Sequence, residues 1–437
     1  MIHTFSLPSG LRVVLAPSAT DVVYAGIAVA TGTRHELDSE SGMAHLVEHM
    51  TFKGTPDLSS VQILNRIESV GGDLNAYTGK EETIYYATFL RQHLRRALPL
   101  LMDIVFHSTF PQEELEKERE VVIDEIESYN DSPAELIYDD FEALLFPGHP
   151  LGRNILGDAG RLRQYTSADL LDFVRRTYGP HRAVLFVKGK VTVEEIIRIA
   201  DSPLTDSPPT DSPPALPNGR EQSPLTDDVF SIDESNCSLP LGRAGGESVG
   251  GESVPHIIHR NTHQAHVMLG TRAYALTDPR YIGLFLLSNL LGGPAMNSRL
   301  SLALRERTGL VYTVESNLTA YTDTGVWSVY FGCDHDDVRR CLRLVRRELQ
   351  RLADAPLSPR TLAAAKRQLK GQLGIGADNF ENAALGMAKY FLHTGNVVTL
   401  EQRFAQIDAL TPAQLHDIAR DVMNPEQLTT LIYTSPH

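Results

Sequence analysis

The feature that most limits how this 437-residue chain can fold is a duplication interrupted by a low-complexity segment. Asp201 to Pro255 holds nine of the 25 prolines, the tandem repeats DSP, DSPP and GGESV, and ten acidic against two basic residues. With no apolar periodicity it cannot build a core, and it reads as an extended linker carrying over half of the net charge of −15. The stretches on either side run in the same order. Before the linker, strand-like VVYAGIAVATGT (22–33) precedes helices near 41–53 and 59–70, two strands around GGDLNAYTGKEETIYYATF, and long helices. After it, HVMLGTRAYAL (266–276) precedes YIGLFLLSNLL and NSRLSLALRER, two strands within 311–331, and helices from Asp336. The fold class expected is α+β, with two homologous α/β-sandwich domains at 1–200 and 256–437 joined by a linker at 201–255.

The two copies differ in chemistry. FPQEELEKEREVVIDEI (110–126) lies on LSPRTLAAAKRQLKGQL (357–373) with Leu115 opposite Leu362 and Val122 opposite Leu369, but Glu118 and Glu125 face Ala365 and Gln372. Acidity overall argues against nucleic acid as a partner. Three cysteines, Cys237, Cys333 and Cys341, without a CxxC pair indicate neither a disulfide framework nor a thiolate metal cage. The N-terminal MIHTFSLPSGLRVVL has no basic-then-apolar leader pattern, and no run of about 18 apolar residues occurs, so the expectation is a cytoplasmic protein with no membrane span.

The first half carries His45-Leu46-Val47-Glu48-His49, an HxxEH sequence with helical spacing and Ser41 placed as a candidate N-cap. One turn apart, two imidazoles can converge on a cation while Glu48 reaches an adjoining water. A catalytic zinc needs a third protein ligand. In ELEKEREVVIDEIES (114–128), Glu118 and Glu125 share a helix face about 10 Å apart, so one of the two can ligate the same ion.

HxxEH followed by ExxxxxxE, with the second Glu 76 positions after His49, resembles the pitrilysin-type zinc metallopeptidases, the inverzincins. The subunit type is similar to mitochondrial processing peptidase. The resemblance implies His45, His49 and Glu125 as ligands of one zinc per chain, Glu48 as general base and Glu118 as a supporting residue. It also implies that Asn75 and Ala76, in GGDLNAYTGKEETIYY, hold substrate on an edge strand, and that Arg305 and Tyr312, in LGGPAMNSRLSLALRERTGLVYTVES, contact the substrate carbonyl. Taken alone, Arg305 reads as a surface helix residue and Tyr312 as a half-buried strand residue. His263 and His266 read as structural, and RQHLRR (91–96) and RRCLRLVRRELQR (339–351) as solvated helix faces.

The expected activity is hydrolysis of extended peptides in a dimeric chamber, because members of that family enclose substrate between four related domains and this chain supplies two. A homodimer is the expected assembly, with a heterodimer of homologous subunits as the alternative. A non-catalytic assembly subunit of the same family is the rival from another class.

Overall fold

The computed structural model describes residues 2–200 and 254–436; the expected linker lies outside the described residues except for its last two positions. The first sheet holds β1 (His3–Ser6), β2 (Arg12–Pro17), β3 (Val22–Val29), β4 (Asp73–Thr78), β5 (Thr83–Leu90) and β6 (Ala183–Gly189), in the order β1-β2-β6-β3-β5-β4. The second holds β7 (His256–His259), β8 (Ala265–Ala273), β9 (Val311–Ala320), β10 (Gly325–Cys333) and β11 (Thr429–Thr434), in the order β7-β11-β8-β10-β9. Apart from β1 the two orders are the same, and the single parallel pairing, β2 with β6, recurs as β7 with β11. The duplication read from the sequence is thus a duplication of topology.

Helices of the first domain are α1 (Met43–Met50), α2 (Ser60–Glu68), α3 (Leu94–His107), α4 (Gln112–Asn130), α5 (Pro133–Leu145), α6 (Ala159–Leu162), α7 (Ser167–Thr177) and α8 (Val193–Ala200). The second domain has α9 (Tyr281–Gly292), α10 (Val338–Asp354), α11 (Pro359–Ala377), α12 (Phe380–Thr394), α13 (Leu400–Ala409) and α14 (Pro412–Val422). The matched helices α4 and α11 are both 19 residues long, and Leu115, Val122, Leu362 and Leu369 are all buried. NSRLSLALRER forms a π-helical turn over Ser301–Glu306 where an ordinary helix was expected.

The central strands of both sheets are buried on both faces, which explains why they read as near-continuous apolar runs. Alternate residues Val23, Ala25, Ile27 and Val29 of β3 join the core formed with the first domain's own helices. Ala28, with Val14, Val184 and Phe186 of neighbouring strands, faces the other way and meets Ala384, Ala388, Phe391 and Leu392 of α12. The second sheet is treated reciprocally. Trp327, Val329 and Phe331 pack under its own helices, whereas Val326, Tyr330, Leu431 and Tyr433 meet Ile137, Phe141 and Leu145 of α5. Each domain therefore lends one helix to cover the other's sheet. Three to four fully buried large side chains on each exchanged face contribute about 1.5–3 kcal/mol apiece by area.

Polar contacts follow the same seam. Tyr321 donates to Glu142 (2.7 Å), Tyr433 to Asp140 (2.5 Å), and Arg272 to the Leu145 carbonyl (2.8 Å). Glu82, its side chain 3% exposed, pairs with Lys389 (2.6 Å) and His393 (2.9 Å) of α12. Burial pushes the Glu82 carboxyl up, but these two partners outweigh it and leave the pKa below the usual value.

His35, on the single turn Thr33–His35, accepts the Gly32 N–H at Nδ1 (3.1 Å). Burial, then the Arg182 and Arg34 guanidiniums, bring its pKa down from 6.5 to about 4. Below pH 6.5 the unfolded chain binds a proton that the folded one refuses, so this contribution to stability is full above 6.5 and is lost as pH falls towards 4. The loss amounts to about 3 kcal/mol at most. His35→Asn, whose amide oxygen can take the same N–H without titrating, should flatten this part of the Tm-against-pH curve of metal-free protein. A slope identical to wild type would place the acid loss elsewhere.

Candidate metal centre

Helix α1 lies inside the first core, with Met43, Ala44, Leu46, Val47 and Met50 buried, so its remaining positions are held rigidly. Ser41 is not its N-cap. The cap is Gly42, at φ 81°, and it makes no side-chain cap bond. The reason is a close crossing: a Cβ at Gly157 would stand 2.4 Å from the Gly42 Cα, leaving room for neither side chain. The exposed amides are taken instead by the buried Glu36 carboxylate, which accepts from Ala44 (2.9 Å) and Gly42 (3.3 Å).

Helix α4 runs beside α1 and starts just after Phe110, a buried residue at φ 48° whose carbonyl accepts from Ser167. Among the described residues Phe110 is the one non-glycine with positive φ, and the surrounding core over-determines it. Leu115, Val122 and Ile123 bury one side of α4, and this turns Glu118 and Glu125 towards α1.

Four side chains meet there. Glu125 Oε2 lies 3.4 Å from His49 Nε2 and 3.9 Å from His45 Nε2, and the three ligand atoms fall within 4.8 Å of one another. Ligands of a tetrahedral zinc at ordinary bond lengths stand roughly 3.4 Å apart, so the spacing fits a cation at their centre. Among the described residues no other His, Cys or carboxylate set converges in this way. His49 Nδ1 lies 3.0 Å from Glu118 Oε1, which fixes the proton on Nδ1 and aims the Nε2 lone pair at Glu125. Lys53 closes the far side of Glu118 at 2.5 Å.

The electrostatics suit a dication. Burial, then the proximity of His49, takes the His45 pKa down to about 3, so this imidazole is neutral and can ligate. Burial lowers His49 as well, but Glu118, Glu48 and Glu125 together outweigh it and raise its affinity for positive charge. Burial pushes Glu118 up, yet His49 and Lys53 hold it below the usual carboxylate range. Glu48 is 9% exposed and its pKa is raised, chiefly by burial, while the Thr78 hydroxyl donates to Oε2 at 2.7 Å.

The remaining expected residues lie elsewhere. Asn75 and Ala76 sit on β4, which pairs only with β5 and forms the sheet edge; the exposed Asn75 amide donates to Asp73 (2.6 Å). Arg305 lies on the π-helical turn and pairs with Glu306 (2.9 Å). Tyr312 is 85% exposed rather than half-buried, because β9 is also an edge strand and Tyr312 stands at its start. The other end of β9 leads to Thr322, which bonds Glu81, so roughly 26 Å of strand separates Tyr312 from that end. His266 hydrogen-bonds Tyr330 (2.9 Å), and Arg339, Arg340, Arg343 and Arg347 of α10 are exposed. Sequence reasoning missed Lys53 and Thr78. Lys53 could have been found from its position four residues after His49; Thr78 has no signal of its own.

Family models described as insulinase (peptidase family M16) and as peptidase M16 inactive domain match residues 12–159 and 164–369. An uncharacterized zinc protease of Streptomyces coelicolor is 31% identical over 425 residues, spanning 97% of this chain and 87% of that protein. Another, from Bacillus subtilis, is 30% identical over 437 residues, spanning 100% and 99%. The fold is that of a protease from Helicobacter pylori, at TM-score 0.83 and 22% identity with 100% and 99% of the two chains covered. It is also that of a peptidase M16 inactive domain from Pseudomonas fluorescens, at TM-score 0.80 and 19% identity over 100% and 98%. With relatives of this identity and coverage, the chain belongs to the M16, pitrilysin-type family of zinc proteases.

Proposed function

We propose that this chain is a zinc-dependent endopeptidase or oligopeptidase that cuts extended peptides, with Glu48 as the general base. The observation that carries this reading is the convergence of His45, His49 and Glu125 beside a buried carboxylate that is not one of the three. Zinc held by those residues would supply Lewis-acid chemistry, acidifying water and polarising a peptide carbonyl. Glu48 then receives the proton of the attacking water and returns it to the leaving amine. Its raised pKa, from burial, brings it closer to the working pH than an exposed glutamate. Glu118, kept ionised by Lys53 and His49, orients the His49 ring.

Substrate would add to the free edge of β4 as an extra strand, Asn75 and Ala76 offering backbone N–H and C=O groups and little side-chain selection. Arg305 and Tyr312 would serve the oxyanion from a second copy of the chain. Tyr312, exposed at the start of an edge strand, is placed to be covered by a partner, and a homodimer would then carry two complete sites. Among the described residues no helix is long and apolar enough to cross a membrane. The buried free thiols Cys333 and Cys341 suit the reducing cytoplasm as its location.

Glu48→Gln should lower peptide cleavage at least ~10²-fold while metal content stays at one zinc per chain, since the amide cannot accept the proton. Near-normal cleavage at full zinc would remove Glu48 from its role. For the carboxylates of α4 the order of effects is the test. Glu125→Gln should strip zinc, whereas Glu118→Gln should weaken zinc affinity ~10 to 100-fold; the reverse order in a zinc titration would exchange their roles.

The cross-subunit assignment is tested by mixing. Refolding Glu48→Gln together with an Arg305→Ala/Tyr312→Phe double variant, both inactive, makes half of the dimers mixed. One of the two sites in each mixed dimer is then intact, and activity should return to roughly a quarter of wild type. No recovery despite demonstrated mixed dimers would put both residues on their own chain's site.

A further inference from the structure

The turn between β4 and β5, Gly79-Lys80-Glu81-Glu82, is built from three buried charged residues in succession, and each is held by a different element. Lys80 reaches Asp139 (3.1 Å) and Glu142 (3.5 Å) on α5. Glu81 accepts from the Thr322 backbone N–H (2.8 Å) and hydroxyl (2.6 Å) and pairs with Arg34 (2.6 Å), which also grips Asp323 with both guanidinium nitrogens (2.7 and 2.5 Å). Glu82 is held by Lys389 and His393 of α12. Thr322, Asp323, Lys389 and His393 all belong to the second domain. The backbone is clamped as well: Arg34 N–H donates to the Lys80 carbonyl (2.8 Å), and a Cβ at Gly32 would come within 2.3 Å of the Gly79 oxygen.

This expenditure on a four-residue turn is out of proportion to hairpin closure. Buried ion pairs contribute little net stability, because desolvation offsets most of the Coulombic gain, but they specify one geometry. The residue immediately before the turn is Thr78, whose hydroxyl donates to Glu48 Oε2 at 2.7 Å. A shift of the turn by one ångström would remove that bond.

We propose that Thr78 is a positioning residue for Glu48, and that the second domain sets its place through Glu81 and Glu82, so that the metal-free domain aligns the base of the metal-bearing one. This rests on Glu48 being the base. The Thr78 hydroxyl fixes the plane of the carboxylate, and with one oxygen so held the other is directed along a single line. Arg34, Asp323 and Thr322 act through the turn and touch neither ligand nor base.

Thr78→Val, close in shape but without the hydroxyl, should lower kcat about tenfold, leaving KM and zinc content at wild-type values. Thr78→Ser should restore kcat to within about twofold. Asp323→Asn, at a partly exposed position, should lower kcat about threefold alone and not at all further in the Thr78→Val background. In metal-stripped protein the same Asp323→Asn change should speed hydrogen exchange at residues 76–83 and leave α1 and α4 unchanged. Wild-type kcat in Thr78→Val while Glu48→Gln is inactive would overturn the positioning role alone. Multiplying losses in the double variant, or unchanged exchange at 76–83, would overturn the route through the second domain. Full turnover by Glu48→Gln would remove the base itself, and the proposal with it.

Discussion

The reciprocal loan of helices is the interaction on which the rest of the molecule depends. Without α12 the outer face of the first sheet would expose Val14, Ala28, Val184 and Phe186; without α5 the second would expose Val326, Tyr330, Leu431 and Tyr433. The central strands of neither sheet have a polar face to turn to water, so the two domains pack against one another. The exchange also anchors the site. Helix α5 follows α4 after only Asp131 and Ser132, so docking of α5 on the second sheet fixes the end of the helix that carries Glu125. The second domain thus steadies the His45, His49 and Glu125 cluster without adding a residue to it.

Within that frame the site is a balance of burial against charge. Two imidazoles and three carboxylates crowd a space where His45 and Glu48 are almost enclosed, and burial disfavours the charged forms of His45, His49, Glu48 and Glu118. Opposite charges prevent this at two points: Lys53 and His49 keep Glu118 ionised, and the surrounding glutamates raise the affinity of His49 for positive charge. A divalent cation would satisfy the same demand at the point where the atoms of His45, His49 and Glu125 converge.

Local signals in the sequence were legible and non-local ones were not. Strand and helix order and the HxxEH spacing lie along single elements, which periodicity reports directly, whereas the choice of Glu125 over Glu118 on a second helix came from the family resemblance. The helix exchange was invisible because Ile137, Phe141 and Leu145 show an apolar face without saying which sheet it covers. Ser41 failed as a cap because the Gly42–Gly157 crossing, 115 positions apart, decided the helix start. Tyr312 was misread because alternation cannot distinguish an edge strand from an inner one. Lys53 and Thr78 touch Glu118 and Glu48; the place of Lys53 four residues after His49 was a faint local signal, whereas only the fold reveals what Thr78 touches.

The central claim is that the His45, His49 and Glu125 cluster holds a zinc that cuts peptide bonds. Its most direct test is to incubate the purified chain with a mixture of unstructured peptides, without chelator, with chelator, and after zinc is restored to chelated protein, and to identify fragments by mass. The account predicts one zinc per chain, internal cleavage that stops on chelation, and recovery of the same fragments when zinc returns. Intact peptides in the presence of zinc-loaded, folded protein, or cleavage indifferent to chelation, would contradict it.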